Sequence, residues 1–481
     1  MTLKLYNSLT RKKEEFVPIF QDKILMYSCG MTVQNEPHIG HLRTYTFWDI
    51  LKKYLRFKFP THKIIHVQNY TDVGHLTDDA DQGEDKIINE ANKFHTHPLE
   101  ITDKYTRIFE EVLKDLDIEF PLMMPRATAH ITEMIDLIQI LLEKGVAYIT
   151  ENGIYFDISK YTHYTELTGI NLDEQHAGAR IEKDEYKRNH YDFALFIKAR
   201  KDHILQWPTP WGWKGYPGWH IECTGMALKY LGDKIDIHTG GIEHLSIHHP
   251  NERAQTETIT GKKWVNFWIH ANHMMLEGSK MAKSTGHYIS ARNAVNTFGK
   301  DFLKYYLVTG SHYQSQEDIT DEKITKKRIE FLKIQTIFGE IYELQRNLKT
   351  KNKEFSPSEE SQKFQKDFIL AMDDNLNTPN ANSILLKFSG FLNREIENLK
   401  GYKSDSLSSD THIFIELANL LGIKDSMSVQ ERMSIVPLLE FRDFLKSKKE
   451  YQYADELRNG INKLGFRIED KRNYSIVIKE F

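Results

Sequence analysis

Cysteine is nearly absent: the 481 residues hold two, Cys29 and Cys223. Two thiols so far apart permit at most one bridge. A disulfide-stapled secreted scaffold is excluded, and a cytosolic chain keeps both thiols reduced. Long apolar runs are missing too. No stretch of about 18 apolar residues occurs, which argues against a membrane span. Residues 1–16 carry charge without an apolar centre and do not read as a secretory signal. Neither sign of charge dominates, since 64 basic and 68 acidic residues leave a net charge of −4. Any nucleic-acid surface must therefore be local. Internal repeats are not evident. The P-loop pattern, H-E-x-x-H and C-x-x-C are all absent, which removes the P-loop enzymes and two common zinc motifs.

What is present suits a large soluble protein. Hydrophobic residues make up 40% of the chain, with 26 Phe, 23 Tyr and 7 Trp, enough to bury a sizeable core. At about 150 residues per domain, the length suggests about three domains. Apolar runs at 24–29 and 64–67 read as strands. Tyr45, Phe47, Trp48, Ile50, Leu51 and Leu55 fit an amphipathic helix, and helical patterns follow at 85–94 and 102–116. This alternation predicts βαβ units and a parallel sheet. Residues 121–205 break the rhythm with one helix (129–144) and short strands (146–149, 154–157), so they read as an insertion. Strands resume at 235–238 and 265–270. From Asp321 the pattern turns helical, with a polar linker at 349–361 and helices at 364–372, 383–398 and 412–421. The Ser-rich patch 404–409 reads as a loop. Helices at 438–448 and 453–464 and a strand at 474–478 close the chain.

Three constellations carry chemistry. His38-Ile39-Gly40-His41 follows a strand and opens a helix, where unpaired N–H groups and the helix dipole favour phosphate. Both imidazoles can donate to phosphate oxygens, and Gly40 lets a flat base approach the backbone. Lys280-Met281-Ala282-Lys283-Ser284, between Gly278 and Gly286, has the form of a mobile cationic clamp for a departing pyrophosphate. Cys29, Cys223 and the run His248-His249-Pro250-Asn251-Glu252 supply zinc-type donors. His248 and Glu252 share a helix face at i, i+4, but so do His244 and His248, and spacing does not choose between them. The bland reading makes both cysteines small buried hydrophobes. Of the tryptophans 207, 211, 213 and 219, only Trp219, beside Cys223, points to function; clustered Trp usually packs.

Together these residues resemble a class I aminoacyl-tRNA synthetase, and more narrowly the cysteinyl-tRNA synthetases. Tyr27-Ser28-Cys29-Gly30-Met31-Thr32-Val33, Asn69-Tyr70-Thr71-Asp72-Val73, Pro125-Arg126-Ala127-Thr128, the segment 218–223, Asp236-Ile237-His238 and Ala371-Met372-Asp373-Asp374 carry the narrower match. Three departures stand out: Met31 for the family's usual Pro, Pro250 for Glu, and Ala282 for Ser. The stretch 74–84 is longer than the common family form and receives no role.

The resemblance implies an α/β fold with a Rossmann-like parallel-sheet catalytic domain carrying an insertion, followed by an α-helical bundle and a small mixed C-terminal domain. The expected boundaries are 1–120 and 206–290 for the two catalytic halves and 121–205 for the insertion. A stem-contact region at 291–325, the bundle at 326–425 and an anticodon-binding domain at 426–481 complete the chain. It implies ATP-dependent activation of L-cysteine to cysteinyl-adenylate and transfer to the 3′ adenosine of cysteine tRNA, with magnesium accompanying ATP. It places one zinc on Cys29, Cys223, His248 and Glu252, cysteine on Thr71, Trp219 and His238, and ATP on His38, Gly40, His41, Lys280 and Lys283. Zinc would select the substrate by its sulfur, since a thiolate is a far better soft-metal ligand than an alcohol. A cytoplasmic monomer is expected. For tRNA, the basic residues of 321–353 (Lys323, Lys326, Lys327, Arg328, Lys333, Arg346, Lys349, Lys351, Lys353) and, for anticodon bases, Arg467, Lys471, Arg472 and Tyr474 are candidates. A cysteine:amino-sugar ligase and a non-catalytic RNA-binding paralogue are the alternatives. The 160 or so residues after Asp321 speak against the first and the intact lysine and histidine set against the second.

Overall fold

The computed structural model describes residues 2–73, 85–169, 186–201, 203–281, 286–347, 356–398, 405–471 and 474–480. Its centre is a four-stranded parallel sheet in the order Val265–Ala271, Ile235–Gly241, Lys23–Ser28, Lys63–Gln68. The first three of these strands are almost wholly buried, as expected when helices cover both faces of a parallel sheet, and the edge strand Lys63–Gln68 is buried over its second half. Lys23–Ser28, the earliest of the four strands, lies inside the sheet between strands of opposite progression. Its carboxyl end is therefore a topological switch point, where such sheets leave a crevice. Asp236 fastens the opposite, amino end of the strands: its carboxylate accepts the backbone N–H groups of Ile19 and Leu25, each at 2.7 Å.

Helix Ile39–Lys58 crosses one face. Its inner stripe includes Leu42, Trp48, Leu51 and Leu55, and a cluster of these with Ile237, Phe267 and Ile269 forms the larger core. The opposite face packs on helices Ile131–Glu143 and Trp219–Leu231 and on a five-stranded antiparallel sheet, Ala147–Ile149, Gly153–Phe156, Phe193–Lys198, Lys214–Pro217 and Trp207–Pro208. Trp207, Trp211 and Trp213 pack against that second core, as the cluster reading expects.

The later helices are Asp321–Asn347, Glu359–Asp373, Thr378–Asn398 and Asp405–Leu420, bound by Phe338, Phe388 and Phe414. Two expectations are corrected here. The Ser-rich patch is not a loop where it is described, because Asp405–Leu420 runs through Ser406, Ser408 and Ser409. The linker also stops earlier than 361: Ser358 caps Glu359–Asp373 by accepting the Ser361 N–H. Asp373 joins this bundle to the first long helix, taking a hydrogen bond from the Tyr54 hydroxyl at 2.8 Å and pairing with Lys58 at 3.0 Å. Helices Val429–Ser447 and Tyr451–Lys463 and the hairpin Phe466–Asp470/Ser475–Lys479 form the last unit, around their own small core.

Candidate active site

The switch point gathers what the sequence scatters. Cys29 follows the strand Lys23–Ser28 directly, and Gly30 after it makes the turn possible. A Cβ at position 30 would sit 1.5 Å from the Asn69 carbonyl oxygen, so only glycine fits. Cys223 comes from helix Trp219–Leu231, and His248, His249 and Glu252 from helix His248–Thr260. All five are buried.

Donor atoms of Cys29, Cys223, His248 and Glu252 lie within 4.8 Å of one another, and so do those of Cys29, His238, His249 and Glu252. The two groups share Cys29 and Glu252. Cys29 Sγ is 3.2 Å from His249 Nε2 and 3.5 Å from Glu252 Oε1. Glu252 also meets His248 Nε2 at 3.0 Å and His238 Nε2 at 2.9 Å. His248 is held from behind: its Nδ1 is 2.9 Å from His220 Nδ1, and Trp219 stacks on its ring with centroids 4.3 Å apart. An outer partner on the second ring nitrogen is the arrangement that orients metal-binding imidazoles. His249 is braced likewise, through His270 to the Ser8 hydroxyl, each step 2.8 Å. The rival His244 belongs to neither group.

Charge within the cluster follows from burial and from these pairs. Burial raises the Cys29 thiol well above its ordinary value, and neighbouring Cys223 and Glu252 add to the rise. Burial also raises Cys223, but hydrogen bonding to Cys29 and the His248 charge bring it down to about 6. For His248 burial lowers the value, and Glu252 and Cys223 more than reverse this, to about 10. Burial alone raises Glu252, yet His238 and His248 hold its carboxyl well below the carboxylate range. Cys223, Glu252 and His248 are thus shifted towards their charged forms and Cys29 towards its neutral thiol, so one of the two thiols departs from the inert apolar reading.

Of the expected cysteine contacts, Thr71 sits beside the turn, exchanging backbone hydrogen bonds with Met31 and Val33. His238 stacks on Trp268, centroids 4.8 Å apart, and touches Glu252. Trp219 lies against His248. Sequence reading missed Glu222: it is fully buried, and burial, with Cys223 and Asp72 nearby, holds its carboxyl well above the usual range although a hydrogen bond from Thr71 works to lower it. Its position three residues after Trp219 put it on the pocket side of the helix, a signal the cysteine spacing masked. His220 and His270 were missed as well, since isolated histidines announce nothing.

His38 and His41 cap their own helix. Gly40 N–H donates to His38 Nδ1 and His38 N–H to His41 Nδ1, both at 3.1 Å, and the rings lie 3.8 Å apart. Each ring accepts at Nδ1, so each neutral ring carries its proton on Nε2 as a donor. The chain leaving the lysine loop returns along this turn: Ile39 N–H bonds to Ile289 O at 3.0 Å and Ala291 N–H to Pro37 O at 2.8 Å. Lys280 is exposed on the short strand Ser279–Lys280, paired with Met274–Leu276. Lys283 and Ala282 lie outside the described residues, as does 74–84.

The tRNA candidates fare unevenly. Lys471 is no exposed anticodon contact: it pairs at 2.5 Å with the buried Glu340 of the bundle. Tyr474 packs on the large core. Arg467 is half exposed beside Glu469, and Arg472 falls outside the described residues, with Lys349, Lys351 and Lys353. On helix Asp321–Asn347, Lys323 pairs with Glu317, Lys327 with Glu330 and Arg346 with Glu343, while Arg328 lies over Phe302. Lys326 and Lys333 stay exposed.

A parallel sheet, a phosphate-type helix start at its switch point and a lysine hairpin beside it define a class of protein, and comparison agrees. The family model described as tRNA synthetases class I (C) catalytic domain matches residues 15–328, and the DALR domain matches 367–424. Solved structures share the fold at low identity: a leucyl-tRNA synthetase complex from Agrobacterium radiobacter (TM-score 0.61, 12% identity, 87% of this chain and 88% of that one) and a Mycobacterium tuberculosis methionyl-tRNA synthetase (TM-score 0.58, 14%, 84% and 90%). Closer relatives narrow the assignment. A cysteine–tRNA ligase of Treponema denticola is 41% identical and one of Thermus thermophilus 37%, each over 98% of both chains. The chain belongs to the cysteine–tRNA ligase family.

Proposed function

We propose that this chain joins L-cysteine to ATP, giving cysteinyl-adenylate and pyrophosphate, and then passes the cysteine to the 3′ terminal adenosine of cysteine tRNA. The observation that carries the reading is the buried tetrad Cys29, Cys223, His248 and Glu252 at the sheet's switch point, one turn of chain from the His38 helix. Its two sulfurs, one nitrogen and one oxygen, converging within 4.8 Å with an outer partner behind His248, fit zinc. When bound, zinc supplies a sulfur-preferring position for the substrate thiolate. Shape alone separates cysteine from serine weakly, since a hydrophobic pocket gains only ~1–3 kcal/mol from a methylene-sized difference.

The protein's own groups do the rest. Thr71, His238 and Trp219 line the cysteine pocket. His38 and His41 donate Nε2–H to ATP phosphates at the helix N-terminus, with magnesium accompanying ATP, and Gly40 keeps the approach clear. Lys280 and Lys283 balance charge as pyrophosphate departs. Little covalent participation is needed, because positioned reactants and preset donors supply most of the acceleration. A cytoplasmic location follows from the substrates; among the described residues no helix is long and apolar enough to cross a membrane. Relatives matched along almost their whole length, and the DALR match, leave the amino-sugar ligase and the non-catalytic paralogue without support.

Cysteine-dependent ATP–pyrophosphate exchange followed by charging of a cysteine tRNA transcript tests the proposal. Absence of exchange defeats activation; exchange without charging defeats the tRNA half and returns the small-molecule ligase.

A further inference from the structure

Arg43 is a buried cation that no part of the chemistry above uses. It lies on helix Ile39–Lys58, five residues after His38, and is 3% exposed. Its guanidinium spends its donors on one small region. Nη1 reaches the carbonyls of Asn272 (3.0 Å) and His273 (3.2 Å). Nη2 reaches Ser311 Oγ (2.8 Å) and the carbonyls of His312 (2.9 Å) and Ser315 (2.8 Å). Asn272 and His273 lead directly into strand Met274–Leu276, and Ser315 lies two residues before strand Glu317–Ile319. These two strands pair in parallel, and Met275 faces Lys280 across the antiparallel pair. Arg43 thus clamps the root of the sheet whose other edge carries Lys280 and leads into the lysine loop.

The far end of that loop is already tied to the same helix by the Ile39–Ile289 and Pro37–Ala291 hydrogen bonds. At its near end Met281 lies close enough that a Cβ on Gly40 would touch its Cε at 3.5 Å. We propose that Arg43 is a positioning residue that fixes strand Ser279–Lys280 against the His38–His41 turn, so that Lys280 and the two histidines meet one ATP. The inference rests on the functional reading above. The hydrogen bonds of Arg43 go to the ATP side: none of its partners is a member of the Cys29–Glu252 cluster, which is carried by the end of strand Lys23–Ser28 and by other helices. Burial lowers its value to about 10, so it remains a cation near neutral pH. A flat fork with donors on two sides is what four carbonyls and a hydroxyl require, and a lysine ammonium offers three donors from one point.

The test measures cysteine-dependent ATP–pyrophosphate exchange in full-length wild type, Arg43→Lys, Arg43→Gln and Ser311→Ala, together with bound zinc and melting temperature. Expected is a fall in kcat of about 100-fold for Arg43→Gln, the scale of an ångström-sized misplacement, and roughly tenfold for Arg43→Lys. KM for cysteine and zinc content should stay within about twofold of wild type. Ser311→Ala removes one partner and leaves the fork; it should lower kcat a few-fold with the same unchanged cysteine KM. This arm carries the test should the Arg43 variants fail to fold. Wild-type kcat in Arg43→Gln, or in Ser311→Ala when the Arg43 variants do not fold, overturns the inference. So does a parallel loss of zinc and rise in cysteine KM, which marks a general structural role. A wild type without exchange overturns the functional reading instead.

Discussion

Lys471→Met is expected to loosen the last unit from the helical bundle, and more so at high pH. Glu340 on helix Asp321–Asn347 is fully buried, and its carboxylate meets Lys471 of the terminal hairpin at 2.5 Å. Burial raises Glu340 to about 7, even though Lys471 works to lower it. A carboxyl raised in the folded state costs nothing below its unfolded value and destabilises increasingly as pH climbs towards the folded value. At about 1.4 kcal/mol per pH unit, the rise from 4.5 to about 7 amounts to roughly 3 kcal/mol above neutrality. Without the ammonium, Glu340 moves higher still and is protonated at pH 8; at about 1.4 kcal/mol per pH unit above 4.5 this costs about 5 kcal/mol against the wild type's roughly 3, an added loss of roughly 1–2 kcal/mol. At pH 5 Glu340 is protonated in both proteins, so the difference shrinks to lost packing and hydrogen bonding, about 1 kcal/mol. Urea unfolding of both proteins at pH 5 and pH 8 reads this directly, with Glu340→Gln/Lys471→Met as the variant that should restore most of the loss at pH 8. Equal destabilisation at the two pH values, or less than about 1 kcal/mol at pH 8, refutes the reasoning. Pyrophosphate exchange should be unchanged throughout, because the pair lies far along the chain from the switch point.

Three further outcomes follow from the site. Cys29→Ser should lose bound metal by elemental analysis and lose its preference for cysteine over serine in the exchange assay. Lys283→Ala should lower the adenylation rate by about 100-fold, the effect of removing one preset donor, and a change below about threefold in rapid-quench kinetics would remove Lys283 from the mechanism. His38→Asn should keep the cap, since asparagine is a favoured N-cap residue, yet lose the Nε2–H; unchanged melting with a rate drop of about 10- to 100-fold supports the donor role.

Periodic elements were legible because their periodicity is local. The expected strand at 24–29 is Lys23–Ser28, the one at 64–67 is Lys63–Gln68, and the helix at 129–144 includes Ile131–Glu143. Elements whose reason to form lies elsewhere were not. Trp207–Pro208 and Lys214–Pro217 have little strand character of their own and become strands by pairing in register with each other and with Phe193–Lys198. The Ser-rich patch reads as a loop in isolation, but helix Asp405–Leu420 buries Leu407 and Phe414 against the bundle, and tertiary packing overrides the weak propensity of serine.

The site shows the same division. The donor set expected from resemblance, Cys29, Cys223, His248 and Glu252, converges in one of two overlapping groups, whereas spacing alone did not choose among the histidines of this run. The fold settles part of this, for a reason that spacing does not carry. Helix His248–Thr260 turns both His248 and Glu252 towards Cys29, and His249, one residue on, also reaches Cys29, its Nε2 lying 3.2 Å from Sγ and 4.0 Å from the same Glu252 Oε1 that His248 meets. Gly240 permits this crowding: a Cβ there would sit 2.7 Å from His249 Cε1 and 2.5 Å from His244 Nδ1. A side chain at 240 would push His249 away from Cys29, so the first glycine after His238 is as necessary to this packing as the imidazole itself. Basic residues mislead for the converse reason. Lys471 looks like an RNA contact because charge is visible in sequence, whereas its partner Glu340 is 131 positions away and becomes its neighbour only when the hairpin lies on the bundle.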